Sequence, residues 1–278
     1  HLSIRRQRQM CIRDRFIESG MSSNAFVTSL LFSLSISAQG VFFLHGVKVA
    51  QKDVKNFEHR EVNYLSKLAQ DEVDGGRMTA WILLKSVNSI GDPADSKYNY
   101  MWVHRFDDIS QMANRKPFWE NMEAKFGDVS NFIWSSSTTT ASGRYYWKIE
   151  SEIAQQEPSK YVILNAAKPT DLNKMVEISS NIANKVFRKN MKKSGIKGWG
   201  VATKIAPVNS NSSPNTVFYW DSYDTMEGVM KHLSNEAAMQ DIPNEMASEV
   251  FSYIPEGLSL IHISEPTRQA EISYAVFC

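Results

Sequence analysis

Cysteine is nearly absent from this 278-residue chain: Cys11 and Cys278 are the only two, both close to the ends. In the body this excludes a disulfide framework, a thiolate nucleophile and a cysteine-based metal site. Histidine is scarce as well. The six histidines form no His-x-x-x-His pair and no carboxylate–histidine cluster at ligand spacing, so no metal site is expected. Neither Gly-x-Ser-x-Gly nor a Walker loop occurs. Gly195-Ile-Lys-Gly198-Trp-Gly200 lacks the order of a dinucleotide fingerprint, and no cofactor is expected. Long apolar runs are missing too. Phe26 to Ile36 has the length of a signal-peptide core and is too short to span a bilayer.

The two ends read as translated sequencing adaptor. Gln9-Met10-Cys11-Ile12-Arg13-Asp14 can be written CAG ATG TGT ATA AGA GAC, and Leu258-Ser259-Leu260-Ile261-His262-Ile263 can be written CTG TCT CTT ATA CAC ATC. These strings are reverse complements over their shared length and resemble the transposase end of fragmentation libraries. Residues 1–15 and 258–278 are therefore expected to add nothing to the fold, and such segments are set aside before reasoning about structure. Their removal takes both cysteines and leaves 25 Lys+Arg against 27 Asp+Glu, a net of −2 rather than +1. A near-neutral body gives no electrostatic case for nucleic acid or a membrane surface as partner. Residues 16–38 read as a leader with a signal peptide. Small residues at Ser37 and Ala38 suit cleavage before Gln39, which implies a secreted or periplasmic product. The alternative is a first buried element of a cytoplasmic protein.

The body contains an internal repeat, residues 39–155 and 156–257. Gly76-Arg-Met-Thr-Ala-Trp81 is followed by a polar loop and then by Tyr100-Met-Trp102-Val-His104-Arg-Phe106-Asp107. Later, Gly195-Ile-Lys-Gly-Trp199 is followed by a polar loop and Thr216-Val-Phe-Tyr219-Trp-Asp221-Ser-Tyr223-Asp224. Each copy opens with a strand-like apolar run, Val41 to Val49 and Tyr161 to Ala167. A helix follows each run, from Asp53 to Gly75-Gly76 and from Thr170-Asp171 onward. Two strands come next. A second helix starts at Asp107, breaks at Pro117 and runs to Lys125; its counterpart starts at Asp224. Closing strands are expected near Arg144 to Glu150 and Glu249 to Ile254.

The order β-α-β-β-α-β, twice, gives the expected fold: α+β, two tandem ferredoxin-like repeats forming an α/β barrel. The chain thus resembles the dimeric α/β-barrel superfamily in tandem form. Trp220-Asp-Ser222-Tyr-Asp-Thr-Met226-Glu-Gly-Val-Met-Lys-His232 is similar to the strand-to-helix segment of antibiotic-biosynthesis-monooxygenase-type domains. No catalytic residue carries over from that resemblance.

Side chains alternate across strands. The uniformly apolar face of Ala80, Ile82 and Leu84 is assigned to the helices, and the mixed face to the interior between the sheets. That interior would hold Trp81, Trp102, His104, Asn165, Trp199, Tyr219 and Asp221 around a small organic ligand, with His45 nearby. The plainer alternative is aromatic core packing. His104, His45 and Asp221 are the candidate catalytic residues. His104 and Asp221 are repeat partners, expected to face each other as general base and orienting carboxylate. His232 reads as an exposed surface residue, with a general base or a haem ligand of a chlorite-dismutase-like relative as alternatives. Arg188-Lys189-Asn190-Met191-Lys192-Lys193 reads as a helix C-terminus rather than a phosphate site. Asn211-Ser-Ser213 is formally a glycosylation acceptor. Three functions remain: an exported small-molecule-binding protein, a cofactor-independent monooxygenase-like enzyme, and a structural module capable of self-association.

Overall fold

A computed structural model describes residues 40–87, 97–135, 139–154, 159–207, 214–236 and 238–266. The N-terminal adaptor-like stretch, the leader with its signal peptide and Asn211 lie outside the described residues. Eight strands form a closed antiparallel barrel in the order β1-β3-β2-β8-β5-β7-β6-β4. The strands are β1 (Val41–Val49), β2 (Ala80–Ser86), β3 (Tyr100–Phe106), β4 (Thr139–Ile153), β5 (Tyr161–Ala167), β6 (Ile196–Ala206), β7 (Val217–Tyr223) and β8 (Ser259–Pro266). Within the N-terminal half β2 pairs β3, β3 pairs β1 and β1 pairs β4. Within the C-terminal half β8 pairs β5, β5 pairs β7 and β7 pairs β6. Two seams, β4–β6 and β2–β8, join the halves.

Helices cover the outside. α1 (Val54–Arg60) runs through a π-helical turn, Glu61–Leu65, into α2 (Ser66–Asp74), which ends at Gly76 with φ +65°. α3 (Ile109–Asn114) is capped by Asp108, whose carboxylate accepts from the Gln111 amide. Past the break at Pro117 come α4 (Met122–Phe126) and α5 (Ser130–Ser135). In the second half α6 (Leu172–Ile182) is capped by Asp171 and passes through a second π-helical turn, Ala183–Phe187, into α7 (Arg188–Ser194). α8 (Met226–Leu233) is capped by Thr225, and α9 (Asn244–Tyr253) precedes β8. The basic run forms α7, with Lys192 and Lys193 in its last turn, as a helix C-terminus favours. Among the described residues no helix is long and apolar enough to cross a membrane.

Three sequence expectations are corrected. Glu249 to Ile254 is not a strand, because it falls within and just after α9. Its place in the barrel is taken by β8, from the segment expected to add nothing. β8 fills the gap between two otherwise free edges, with Ile163 opposite Ile263 and Lys85 opposite Glu265. Ile263 and Ser264 are buried there. Barrel closure is the physical reason, since unpaired edges of β2 and β5 would leave backbone donors and acceptors unsatisfied.

The third correction concerns the faces. Phe42, Leu44, Leu84, Met101, Leu164 and Phe218 form one cluster drawn from both halves with no helical member, and this is the barrel interior. Phe43, Trp81, Leu83 and Trp102 instead pack outward against Phe57, Leu65 and Leu68 of the helices. Trp199 and Tyr219 pack outward against Met175 and Ile182. An eight-stranded barrel has room only for a single filling of side chains; the face bearing Phe42, Leu44, Trp147 and Phe218 supplies it, and the face bearing Trp81, Trp102, Trp199 and Tyr219 meets the helices. The fit inside is close: a Cβ on Gly200 would fall within the Trp220 indole. A void of about 150 Å³ remains inside, lined by apolar groups such as Leu44, Ile82 and Phe218. None of the nominated ligand residues borders it.

Cutting the chain after Gly257 removes β8 and reopens both edges. Stability should fall by more than about 2 kcal/mol, well above the half kilocalorie typical of changes remote from structure, and the free edges should promote self-association. Urea unfolding with light scattering measures both, and an unchanged midpoint with a monodisperse protein would contradict the role assigned to β8.

Candidate functional site

The outward aromatic face of the N-terminal half does not fill the space beneath its helices. A cavity of about 410 Å³ lies there, walled by Trp81, Trp102, Trp119 and Trp134 and bordered by His45, His104, Arg60, Glu61 and Arg144. This is the size range of small-molecule sites. A neighbouring cavity of about 220 Å³ shares His104, Phe118, Trp119 and Arg144 with it. The nominated residues therefore divide between two places. His45, Trp81, Trp102 and His104 line the N-terminal cavity, while Asn165, Trp199, Tyr219 and Asp221 line a smaller one of about 100 Å³ in the C-terminal half.

Composition and spacing did not single out Glu61, yet it is the most unusual group in the cavity. It sits at the start of the π-helical turn, a local widening often found at functional sites. It is 0% exposed. The Arg60 guanidinium donates to Oε1 at 3.0 Å, and Trp102 Nε1 donates to Oε2 at 3.0 Å. Arg60 is itself held against the faces of Phe57 and Trp134. Burial nevertheless outweighs the Arg60 charge and both hydrogen bonds, and pushes the Glu61 carboxyl up to about 7. Its only sequence signal was a carboxylate on the core-facing side of an amphipathic helix.

The histidines are weaker bases. His104 is buried and stacked on Phe43, with centroids 4.3 Å apart and the rings inclined by 14°. Burial holds its imidazole well below the ordinary value, with lesser contributions from His45, Arg115 and Arg144. His45 hydrogen-bonds the Ser142 hydroxyl through Nε2 at 2.7 Å, and burial followed by the Arg144 charge lowers it to about 4. Both rings are neutral at physiological pH, so each can accept or donate one hydrogen bond but holds a transferred proton poorly. Arg144 is exposed at the rim, and among the described residues no hydrogen bond or ion pair ties it down.

The expected His104–Asp221 pair does not form. Their strands, β3 and β7, are separated in the barrel order, and the two side chains line different cavities. Asp221 has His232 beside it instead, which is buried rather than exposed and bonded through Nδ1 to the Tyr223 hydroxyl at 2.8 Å. The helix carrying His232 turns this ring inward onto Tyr223 and leaves Lys231 outside. Among the described residues no three His, Cys, Asp or Glu side chains group to hold a metal ion.

No family model and no curated protein sequence matches the chain. Solved structures do match it in fold. A protein from Lactobacillus acidophilus NCFM assigned as a monooxygenase aligns with a TM-score of 0.51 and 14% identity, over 83% of this chain and 94% of its own. An anthrone oxidase-like protein gives 0.49 and 8%, over 83% and 92%. A Fusobacterium nucleatum protein, also assigned as a monooxygenase, gives 0.48 and 10%, over 83% and 92%. The likeness is one of fold, the closed eight-stranded α/β barrel to which the sequence resemblance pointed.

The raised Glu61 carboxyl has a consequence for stability. A carboxyl whose folded value lies above its usual 4.5 favours the folded state most at low pH, and that contribution is lost as pH rises through about 7. Between pH 4.5 and 8 the protein should lose about 3 kcal/mol relative to Glu61→Gln, since each tenfold change in proton affinity is worth about 1.4 kcal/mol. Urea unfolding across this range measures the difference, and parallel curves for the two proteins would rule out the assignment.

Proposed function

We propose that the N-terminal cavity binds a flat, partly polar organic molecule and that Glu61 removes a proton from it, in the manner of a cofactor-independent monooxygenase-like enzyme. The observation that carries this reading is a carboxyl buried at the wall of a tryptophan-lined cavity and poised to exchange a proton near neutral pH. Indole faces on several sides suit a planar ring system. His45 and His104, neutral there, orient the ligand by hydrogen bonds, and the Arg144 cation borders the anion formed. Loss of a proton from an acidic O–H or C–H leaves an electron-rich anion, which is the species that reacts directly with dioxygen. Assignment of the Lactobacillus acidophilus fold neighbour as a monooxygenase accords with this reading.

The same proposal takes the halves as tandem ferredoxin-like copies. Each contributes one run of four adjacent strands, and each has a π-helical turn after its first helix. Trp102 bonds Glu61 in one, and Tyr219 bonds Ser179 in the other, at spacings of 117 and 118 residues. Export remains part of the proposal through the apolar run before Gln39.

Anthrone is a suitable probe, being flat and carrying an acidified C–H. The protein should bind it with quenching of tryptophan fluorescence and should accelerate oxygen uptake, with a rate that rises with pH through about 7 as Glu61 ionises. Glu61→Gln should lower that rate by roughly 10²–10⁴-fold and leave binding within a few-fold. Binding without oxygen uptake would reduce the protein to a ligand carrier, and failure to bind flat aromatic molecules would remove the site altogether.

A further inference from the structure

We propose that the C-terminal half carries a second, independent binding site for a small apolar molecule bearing one hydroxyl group, an alcohol or a simple phenol. The cavity of about 100 Å³ lies between the outward face of β5, β6 and β7 and the helices α6 and α9. Met175, Ile182, Phe187, Trp199 and Val250 make most of its wall, so the bulk of an occupant must be apolar. Its polar lining comprises the Ser179 and Tyr219 hydroxyls, which bond each other, and Asp221 with His232, 5% and 9% exposed, beside Asn165.

These two side chains leave a gap of defined chemistry. His232 Nε2 stands 3.9 Å from Asp221 Oδ2, too far for a direct hydrogen bond. The other ring nitrogen, Nδ1, is engaged by the Tyr223 hydroxyl at 2.8 Å. The neighbouring carboxylate favours the imidazole proton on Nε2, so Nδ1 accepts from Tyr223 and Nε2 carries the donor hydrogen. Asn165 holds the carboxyl group by a side-chain hydrogen bond. Donor and acceptor therefore stand side by side on the cavity wall. An oxygen in the cavity beside them, off the line that joins them and at the ordinary hydrogen-bond length of about 2.8 Å from each, accepts from Nε2–H and donates to Oδ2. A hydroxyl group does both through a single atom, as water does. An ammonium would set its hydrogens against Nε2–H, a carboxylate would repel Asp221, and an ether would leave the carboxylate unsatisfied.

Titration of the full chain with phenol, observed through methyl NMR signals of Met175, Ile182 and Val250, tests the site. Phenol should shift these signals saturably at millimolar concentration. Toluene, which has the ring but no hydroxyl, should bind at least about tenfold more weakly, since a site built to bond a hydroxyl rejects the analogue lacking it. Asp221→Asn should weaken phenol by about tenfold and leave toluene unchanged, because bonds to a charged acceptor are the stronger ones. Ile182→Phe, which fills the cavity while leaving Asp221 and His232 in place, should abolish both sets of shifts. Equal binding of phenol and toluene overturns the hydroxyl assignment. Absence of shifts at these methyls, with water alone filling the gap, overturns the site, as does phenol binding that survives Ile182→Phe.

Discussion

The interior of an eight-stranded barrel holds a single filling of side chains, and much else in this protein follows from that limit. Phe42, Leu44, Leu84, Trp147, Ala202 and Phe218 are among the residues from both halves that occupy it. The other face of every strand is then left to the helices. Trp81, Trp102, Trp199 and Tyr219 are placed there, where helices rather than a facing sheet must accommodate them. A helix cylinder laid over large rings leaves irregular space. Two cavities bordered by charged side chains arise at that junction, and the void inside the barrel is mostly apolar, with Arg105 and Glu152 among its lining.

Much of the frame was legible from pattern alone. Alternating apolar runs placed β1 and β5 from Val41 to Val49 and Tyr161 to Ala167, and Asp171 announced α6 as its cap. Orientation was not legible. Period-two alternation separates two faces but does not say which one points inward, and here both faces carry tryptophan. His104 shows the difficulty, since an imidazole on an aromatic strand face fits either side until the helix bearing Phe118 is in place. The barrel was expected, but its last strand was not placed, because the strand comes from a segment whose codon pattern argued against any structural part.

Glu61 was hidden for a different reason. In sequence it is one acid among several on a charged helix, Glu58-His59-Arg60-Glu61. Its neighbour Glu58 is partly exposed and paired with Lys85, and the Lys85 and Tyr100 hydrogen bonds keep it below the usual carboxylate range despite desolvation. Less than one helical turn separates two carboxyls of opposite behaviour. The difference lies in depth: Glu61 is wholly enclosed, and an adjacent guanidinium does not offset the lost hydration.

The two halves show how one frame supports different chemistry. Each has an aromatic on its third strand bonded to the helix crossing it, Trp102 to Glu61 and Tyr219 to Ser179. Where the first half has an ionisable carboxyl, the second has a hydroxyl, so no proton is exchanged near neutral pH at that point. The second half has a carboxyl at Asp221, held above its ordinary range by burial, where the first half has the neutral His104. The N-terminal cavity is also about four times the volume of the other. A large aromatic chamber with a base in its wall suits a molecule that reacts. A small apolar chamber with a matched donor and acceptor suits one that is only held. On the functions proposed for the two cavities, the residue on the crossing helix, Glu61 in one half and Ser179 in the other, is what separates them.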